Sequence, residues 1–189
     1  WPMVGWDNAA AAQRIADYLL DIGHRRLGVI AGISKDNDRA ADRVAGFTRA
    51  LKRRGVELPP QYVIEKPYTV PEARRAMAAL LRLPEPPTAV MCGNDILAYG
   101  ALQECLWQNL RVPEQISITG FDNIEMAAHC RPGITTLNVP AFDLGQRAAN
   151  ILLAADADTP PENVCIELEL IVRDTTAPPR SSTSARQGS

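Results

Sequence analysis

An α/β fold built on a doubly wound, mainly parallel sheet is what this sequence predicts. Short apolar runs recur along the chain, longer amphipathic helical segments separate them, and Gly or Pro marks most of the breaks. Strands that alternate with helices imply βαβ crossovers, which place the strands parallel and the helices over both faces of the sheet.

The elements follow in order. Ala12, Ile15, Ala16, Leu19 and Ile22 fall at helical spacing after a capping candidate at Asp7 or Asn8, and Gly23 ends the helix. Leu27 to Gly32 reads as a buried strand running into a turn. Ala40, Val44, Phe47 and Leu51 mark the next helix. Its last turn carries Lys52, Arg53 and Arg54, where positive charge suits the helix dipole, and Gly55 follows. Tyr62-Val63-Ile64 is the next strand. Thr69-Val70-Pro71-Glu72 has the form of a capping box and opens a helix through Met77, Leu80 and Leu81. Pro84, Pro86 and Pro87 end it, and Ala89 to Cys92 forms a strand. Ala98, Ala101, Leu102 and Cys105 share one face of the following helix. Ile116 to Phe121 is a strand, and Leu144, Ala148, Ile151, Leu152 and Ala155 mark a last helix. From Val164 to Arg173 apolar and other residues alternate, the pattern of a strand with one mostly polar face. The Ser-rich stretch 177–189 lacks periodicity and is expected to be disordered.

Composition narrows the function. Hydrophobic residues make up 46% of the 189 and charged residues 22%, a globular balance. A net charge of −2 gives no support to direct nucleic-acid binding, which needs clustered Lys and Arg on phosphates. No apolar run reaches the ~20 residues of a membrane span. With no signal peptide visible, a cytoplasmic location is expected. Cys92, Cys105, Cys130 and Cys165 form no Cys-x-x-Cys pair and no cluster with His, so they read as reduced, mostly buried thiols. No nucleophile elbow, P-loop or zinc-protease motif is present. The two histidines lack an identifiable catalytic partner, and Gly28 and Gly32 lack the dinucleotide spacing. A non-enzyme without metal or cofactor is expected. His24 follows a helix end, a place that favours positive charge.

Parallel sheets bind ligands beyond the carboxyl ends of their strands, which here means after Gly32, Ile64, Cys92 and Phe121. Arg43 lies at the start of a helix after a strand, and Asn94 and Asp122 each follow a strand directly. Arg offers a planar fork of donors, while Asn and Asp bridge to or accept from hydroxyls. Such a set suits a sugar, polyol or small anionic metabolite. Each residue also has a plainer reading: Arg43 as an ion-pair partner of Asp38 or Asp42, Asn94 and Asp122 as caps, and Asp95 as structural.

Several segments, in order and spacing, resemble the LacI/GalR regulators. They are Asp7-Asn8, Gly23-His24-Arg25-Arg26, Arg43-x-x-Gly46-Phe47, Pro87-Thr88-Ala89, Asn94-Asp95 and Ala98-Tyr99-Gly100-Ala101. Val112-Pro113, Ile116 to Asn123, Pro132, Thr135-Thr136-Leu137, Gly145 and Val172-Arg173-Asp174-Thr175 continue the series. The resemblance covers about residues 1–176 and implies a type I periplasmic-binding-protein-like sensor of two lobes. By it, residues 1–6 are the last strand of a shortened N-terminal lobe and 7–138 are the C-terminal lobe. Residues 139–157 cross back as a helix of the N-terminal lobe, and 158–176 are final strands of the C-terminal lobe. The helix-turn-helix head and the first half of the N-terminal lobe would precede Trp1.

The resemblance also implies an effector site at Arg43, Asn94 and Asp122, with aromatic walls at Trp6 and Tyr68. It implies a homodimer through Tyr99, Leu102, Gln103 and Pro132. Gly100 agrees with close packing, since an interior helix Gly costs about 1 kcal/mol relative to Ala; a partner subunit or the chain's own sheet could supply it. The function so implied is effector sensing that controls operator binding through the separate head. The alternative is a periplasmic sugar-binding protein of a transporter.

Overall fold

A computed structural model describes residues 3–154 and 163–180. Its elements are β1 (Val4–Gly5), α1 (Asn8–Asp21), β2 (Leu27–Ala31), α2 (Asp38–Arg53), β3 (Val63–Glu65), α3 (Val70–Leu81) and β4 (Ala89–Cys92). They continue with α4 (Asp95–Trp107), β5 (Ser117–Thr119), α5 (Glu125–His129), β6 (Thr136–Asn138), α6 (Ala141–Ala154), β7 (Val164–Cys165) and β8 (Glu169–Ile171).

The central sheet has four parallel strands in the order β3-β2-β4-β5. β2, β4 and β5 are buried throughout, and alternate residues serve opposite cores, while the edge strand β3 is only half-buried. Leu27, Val29, Ala31, Ala89 and Met91 pack with Ile15, Leu19, Phe47 and Leu51 of α1 and α2. Ile30, Val90 and Cys92 pack with Met77, Leu80, Leu97 and Leu102 of α3 and α4. This two-sided burial explains why β2 and β4 read as continuous apolar runs. Each fully buried Leu or Ile adds about 1.5–3 kcal/mol.

Beyond β5, isolated parallel bridges at Thr119–Thr135 and Asp122–Asn138 carry the sheet on to β6, which pairs antiparallel with β8. The apolar alternation at the chain end does not make one strand. It divides into β7, which pairs parallel with β1, and β8. Val164–Cys165 therefore sits beside β1, not with the final strands expected over residues 158–176. Alternation survives the break because Ile166 and Leu168 still pack into the α1–α2 core. It fails at Val172, which is 54% exposed. No residue of α6 is buried; Phe142, Leu152 and Leu153 are exposed. Ala155, the expected end of that helix, and most of the 177–189 tail lie outside the described residues.

Smaller expectations also change. Thr69 caps α3 without a side-chain hydrogen bond and the Glu72 carboxylate pairs with Lys66 and Arg75, so the capping box is not made. Tyr62 belongs to a 3-10 turn ahead of β3. Gly100 faces neither a partner nor the sheet. A side chain there would overlap Ala73 and the Val70 backbone, so Gly100 lets α4 lie against α3. Leu102 is fully buried in that core and has no surface to offer a partner, which corrects its place in the expected interface.

His24 is buried rather than a charged helix-end residue. Its Nε2–H donates to the Ala177 carbonyl at 3.0 Å, and Nδ1 lies 2.8 Å from Thr88 Oγ1. Burial holds its pKa down and favours the neutral ring. Cys92 and Cys105 are buried and Cys130 is half-buried, but Cys165 is exposed, and none is disulfide-bonded. Among the described residues, no helix is long and apolar enough to cross a membrane.

Candidate functional site

A cavity of about 220 Å³ opens beyond the carboxyl ends of the central strands, lined by Trp6, Asn37, Arg39, Arg43, Tyr68, Asn94 and Asp122. The segments after β2, β3, β4 and β5 all contribute to it. The five residues singled out from the sequence, Trp6, Arg43, Tyr68, Asn94 and Asp122, stand around this one cavity.

Arg43 organises the floor. It lies in the second turn of α2, one turn later than the sequence suggested, and is 8% exposed. Its Nε donates to Asn8 Oδ1 at 2.9 Å and its Nη1 to the Gly93 carbonyl at 2.6 Å. The guanidinium stacks over the Phe121 ring at 3.6 Å from the centroid, a cation–π arrangement. Its ion-pair partner is Asp122, at 3.9 Å, and neither Asp38 nor Asp42. Burial lowers the Arg43 pKa, and Asp122 pulls it back up. Burial raises that of Asp122, and Arg43 and then Arg39 pull it back down. Both directions agree that desolvation outweighs attraction across this rather long gap.

Asp122 is placed by strained backbone. Asp122 and Asn123 have φ of 110° and 57°, conformations that cost a non-glycine residue about 1–3 kcal/mol each. Tertiary bonds hold them there. The Asp122 amide donates to the Leu137 carbonyl at 3.0 Å, and the Val139 amide to the Asp122 carbonyl at 3.2 Å. Asn123 Nδ2 donates to Asn138 Oδ1 at 2.9 Å, and Arg173 Nη2 to Asn123 Oδ1 at 2.7 Å. The next residue, Ile124, donates its amide to Asp95 Oδ2 at 2.9 Å, while Thr136 Oγ1 donates to Asp95 Oδ1 at 2.6 Å. Asp95 is thus a buried brace between the site loop and β6, as its structural reading anticipated. Burial pushes its pKa up to about 6.

Asn94 caps α4, its Oδ1 accepting from the Leu97 amide at 2.9 Å, and also reaches the cavity. Tyr68, 39% exposed, forms a wall against Gly32, where any side chain would overlap its ring. Trp6 is fixed by Nε1–H donating to Asn8 Oδ1 at 3.2 Å.

Three functional candidates escaped the sequence reading. Asn8 was only a capping candidate, but Asp7 takes the cap, and Asn8 instead joins Trp6 to Arg43. Arg39 lies one turn before Arg43 on the same helix face, a spacing that could have revealed it. Asn37 caps α2, its Oδ1 accepting from Ala40. The expected interface residues Tyr99, Gln103 and Pro132 are elsewhere, each partly exposed.

The model of the periplasmic-binding-protein-like domain matches residues 16–176. The chain belongs to that family. Within the periplasmic-binding-protein-like family, two of its curated relatives are repressors. It is 41% identical over 152 residues to the HTH-type transcriptional repressor CytR of Escherichia coli (strain K12), covering 80% of this chain and 44% of CytR. It is 36% identical over 174 residues to the HTH-type transcriptional repressor PurR of Escherichia coli O139:H28, covering 90% of this chain and 51% of PurR. The chain therefore spans about half the length of these relatives. The crystal structure of a LacI family transcriptional regulator from Mycobacterium smegmatis superposes with a TM-score of 0.83 at 29% identity, over 93% of this chain and 66% of that one. The doubly wound sheet is thus that of a LacI-type periplasmic-binding-protein-like domain.

Proposed function

We propose that this domain senses a small sugar-like or related polar metabolite and controls operator binding in a LacI-type repressor. The observation that carries the reading is the convergence of Trp6, Arg43, Tyr68, Asn94 and Asp122 on one cavity at the strand ends. Aromatic walls with a few placed polar groups suit a sugar ring and its hydroxyls. The names of the curated relatives support a repressor over a transporter's sugar-binding protein. Operator contact would belong to the helix-turn-helix segment for which those relatives are named, in a cytoplasmic protein.

In this reading residues 7–138 form one lobe. Residues 1–6, α6 and β7 belong to the other, and effector shifts the balance between two lobe arrangements. A homodimer would use Tyr99, Gln103 and Pro132. In this reading the domain binds its effector without catalysis and without a cofactor or metal.

Thermal-shift screening of sugars, sugar alcohols and small organic acids, followed by calorimetry, tests the proposal. A hit whose affinity falls in Asp122→Asn supports it. Hits indifferent to every cavity substitution would contradict it.

A further inference from the structure

The donors and acceptors lining the cavity are unequal in number. Asn37 and Asn94 each spend Oδ1 on a helix cap, accepting from Ala40 and Leu97. The amide N–H groups of both side chains remain as donors, beside the second lone pair of each Oδ1. Tyr68 adds a hydroxyl. Asp122 is the one carboxylate of the lining, and Arg43 pairs with it. Arg43 is itself largely committed, to Asn8, Gly93 and the Phe121 face. Arg39 differs. It lines the same cavity, is exposed, and makes no salt bridge among the described residues. The cavity therefore offers donors and, in Arg39, one cation without a salt bridge among the described residues, while the one carboxylate of its lining is paired with Arg43.

We infer that the effector carries a negatively charged group, a carboxylate or phosphate, that Arg39 binds beside the Arg43–Asp122 pair. The inference rests on the reading of this cavity as the effector site and narrows its ligand class. Acceptor-rich oxygens would take the Asn37 and Asn94 amides together with the Arg39 fork, which matches planar or tetrahedral oxyanions in two-point contact. The rest of the molecule would lie against Trp6 and Tyr68. A wholly neutral sugar would leave Arg39 without an anionic partner.

Matched pairs distinguish a charged from a neutral ligand: ribose against ribose 5-phosphate, glucose against gluconate and glucose 6-phosphate, with inorganic phosphate alone as a further probe. Calorimetry on the intact chain at ~150 mM salt keeps non-specific charge attraction low. At least one anionic member should bind at least about tenfold tighter than its neutral partner. Arg39→Gln, a change at an exposed position, should remove that preference, the anionic member losing at least about tenfold more affinity than the neutral one. Equal or tighter binding of the neutral members would overturn the inference. So would a preference that survives Arg39→Gln, or the absence of anion binding up to about 10 mM. The two readings fail differently. Neutral ligands that bind and are weakened by Asp122→Asn keep the site but lose the anion. Anion binding indifferent to both Arg39→Gln and Asp122→Asn loses the site.

Discussion

Arg43 and Asn8 are joined by a 2.9 Å bond from Nε to Oδ1, between α2 and the first residue of α1. The same oxygen accepts from Trp6, so one amide sets both a charged and an aromatic residue of the cavity. Asn8→Ala would leave an almost fully buried guanidinium short of a partner, at a cost of about 1–3 kcal/mol. Asn8→Asp keeps the acceptor and should cost less. Urea unfolding measures both. A loss under about 0.5 kcal/mol in Asn8→Ala would show that the bond does not hold Arg43.

The buried carboxyl of Asp95, with its pKa near 6, makes stability depend on pH in a defined direction. A carboxyl harder to ionise in the folded chain destabilises it at neutral pH. Stability is recovered as pH falls through about 6 toward the ordinary value of 3.8. Between pH 7 and pH 5 this group should add about 1 kcal/mol. His24, whose pKa burial lowers, acts oppositely, losing stability as it protonates. The difference between the parent and Asp95→Asn isolates the first effect. Parallel pH profiles for the two proteins would show that Asp95 is not the group responsible.

Tyr99 and Leu102 share α4 but not a role. Leu102→Asp places a charge in the α3–α4 core and should unfold the chain, a loss above about 4 kcal/mol. Tyr99→Asp should leave the circular dichroism intact and weaken self-association measured by light scattering. A folded Leu102→Asp variant would contradict the burial argument. Unchanged association in Tyr99→Asp would move the dimer contact elsewhere.

Thr119 Oγ1 is buried with no partner among the described residues. Thr119→Val removes that unsatisfied hydroxyl at nearly equal volume and should stabilise the chain by about 1 kcal/mol. A loss of stability in chemical unfolding would mean that the hydroxyl is bonded.

The sequence was most legible where local pattern and tertiary burial agree. β2 and β4 are apolar throughout because both faces are covered, and the strand-end rule led to the cavity. β7 and β8 were merged because the alternation of Val164 to Leu170 runs unbroken through a change of pairing partner. The resemblance places Leu102 at the interface, and in α4, apolar nearly all round, no periodic signal separates buried from surface positions. The role of Asn8 depends on Arg43, a neighbour distant in sequence, whereas Arg39 stands one turn from Arg43 and only that spacing signals it.

The central claim is that this cavity binds the effector, and calorimetry with the ligand found by screening tests it most directly. Arg43→Met and Asp122→Asn, each verified as folded, should weaken binding at least about tenfold, the loss of one charge-assisted hydrogen bond. Lys52→Ala, at the far end of α2 beside a different cavity, should leave affinity unchanged. Unaltered affinity in both cavity variants would contradict the account.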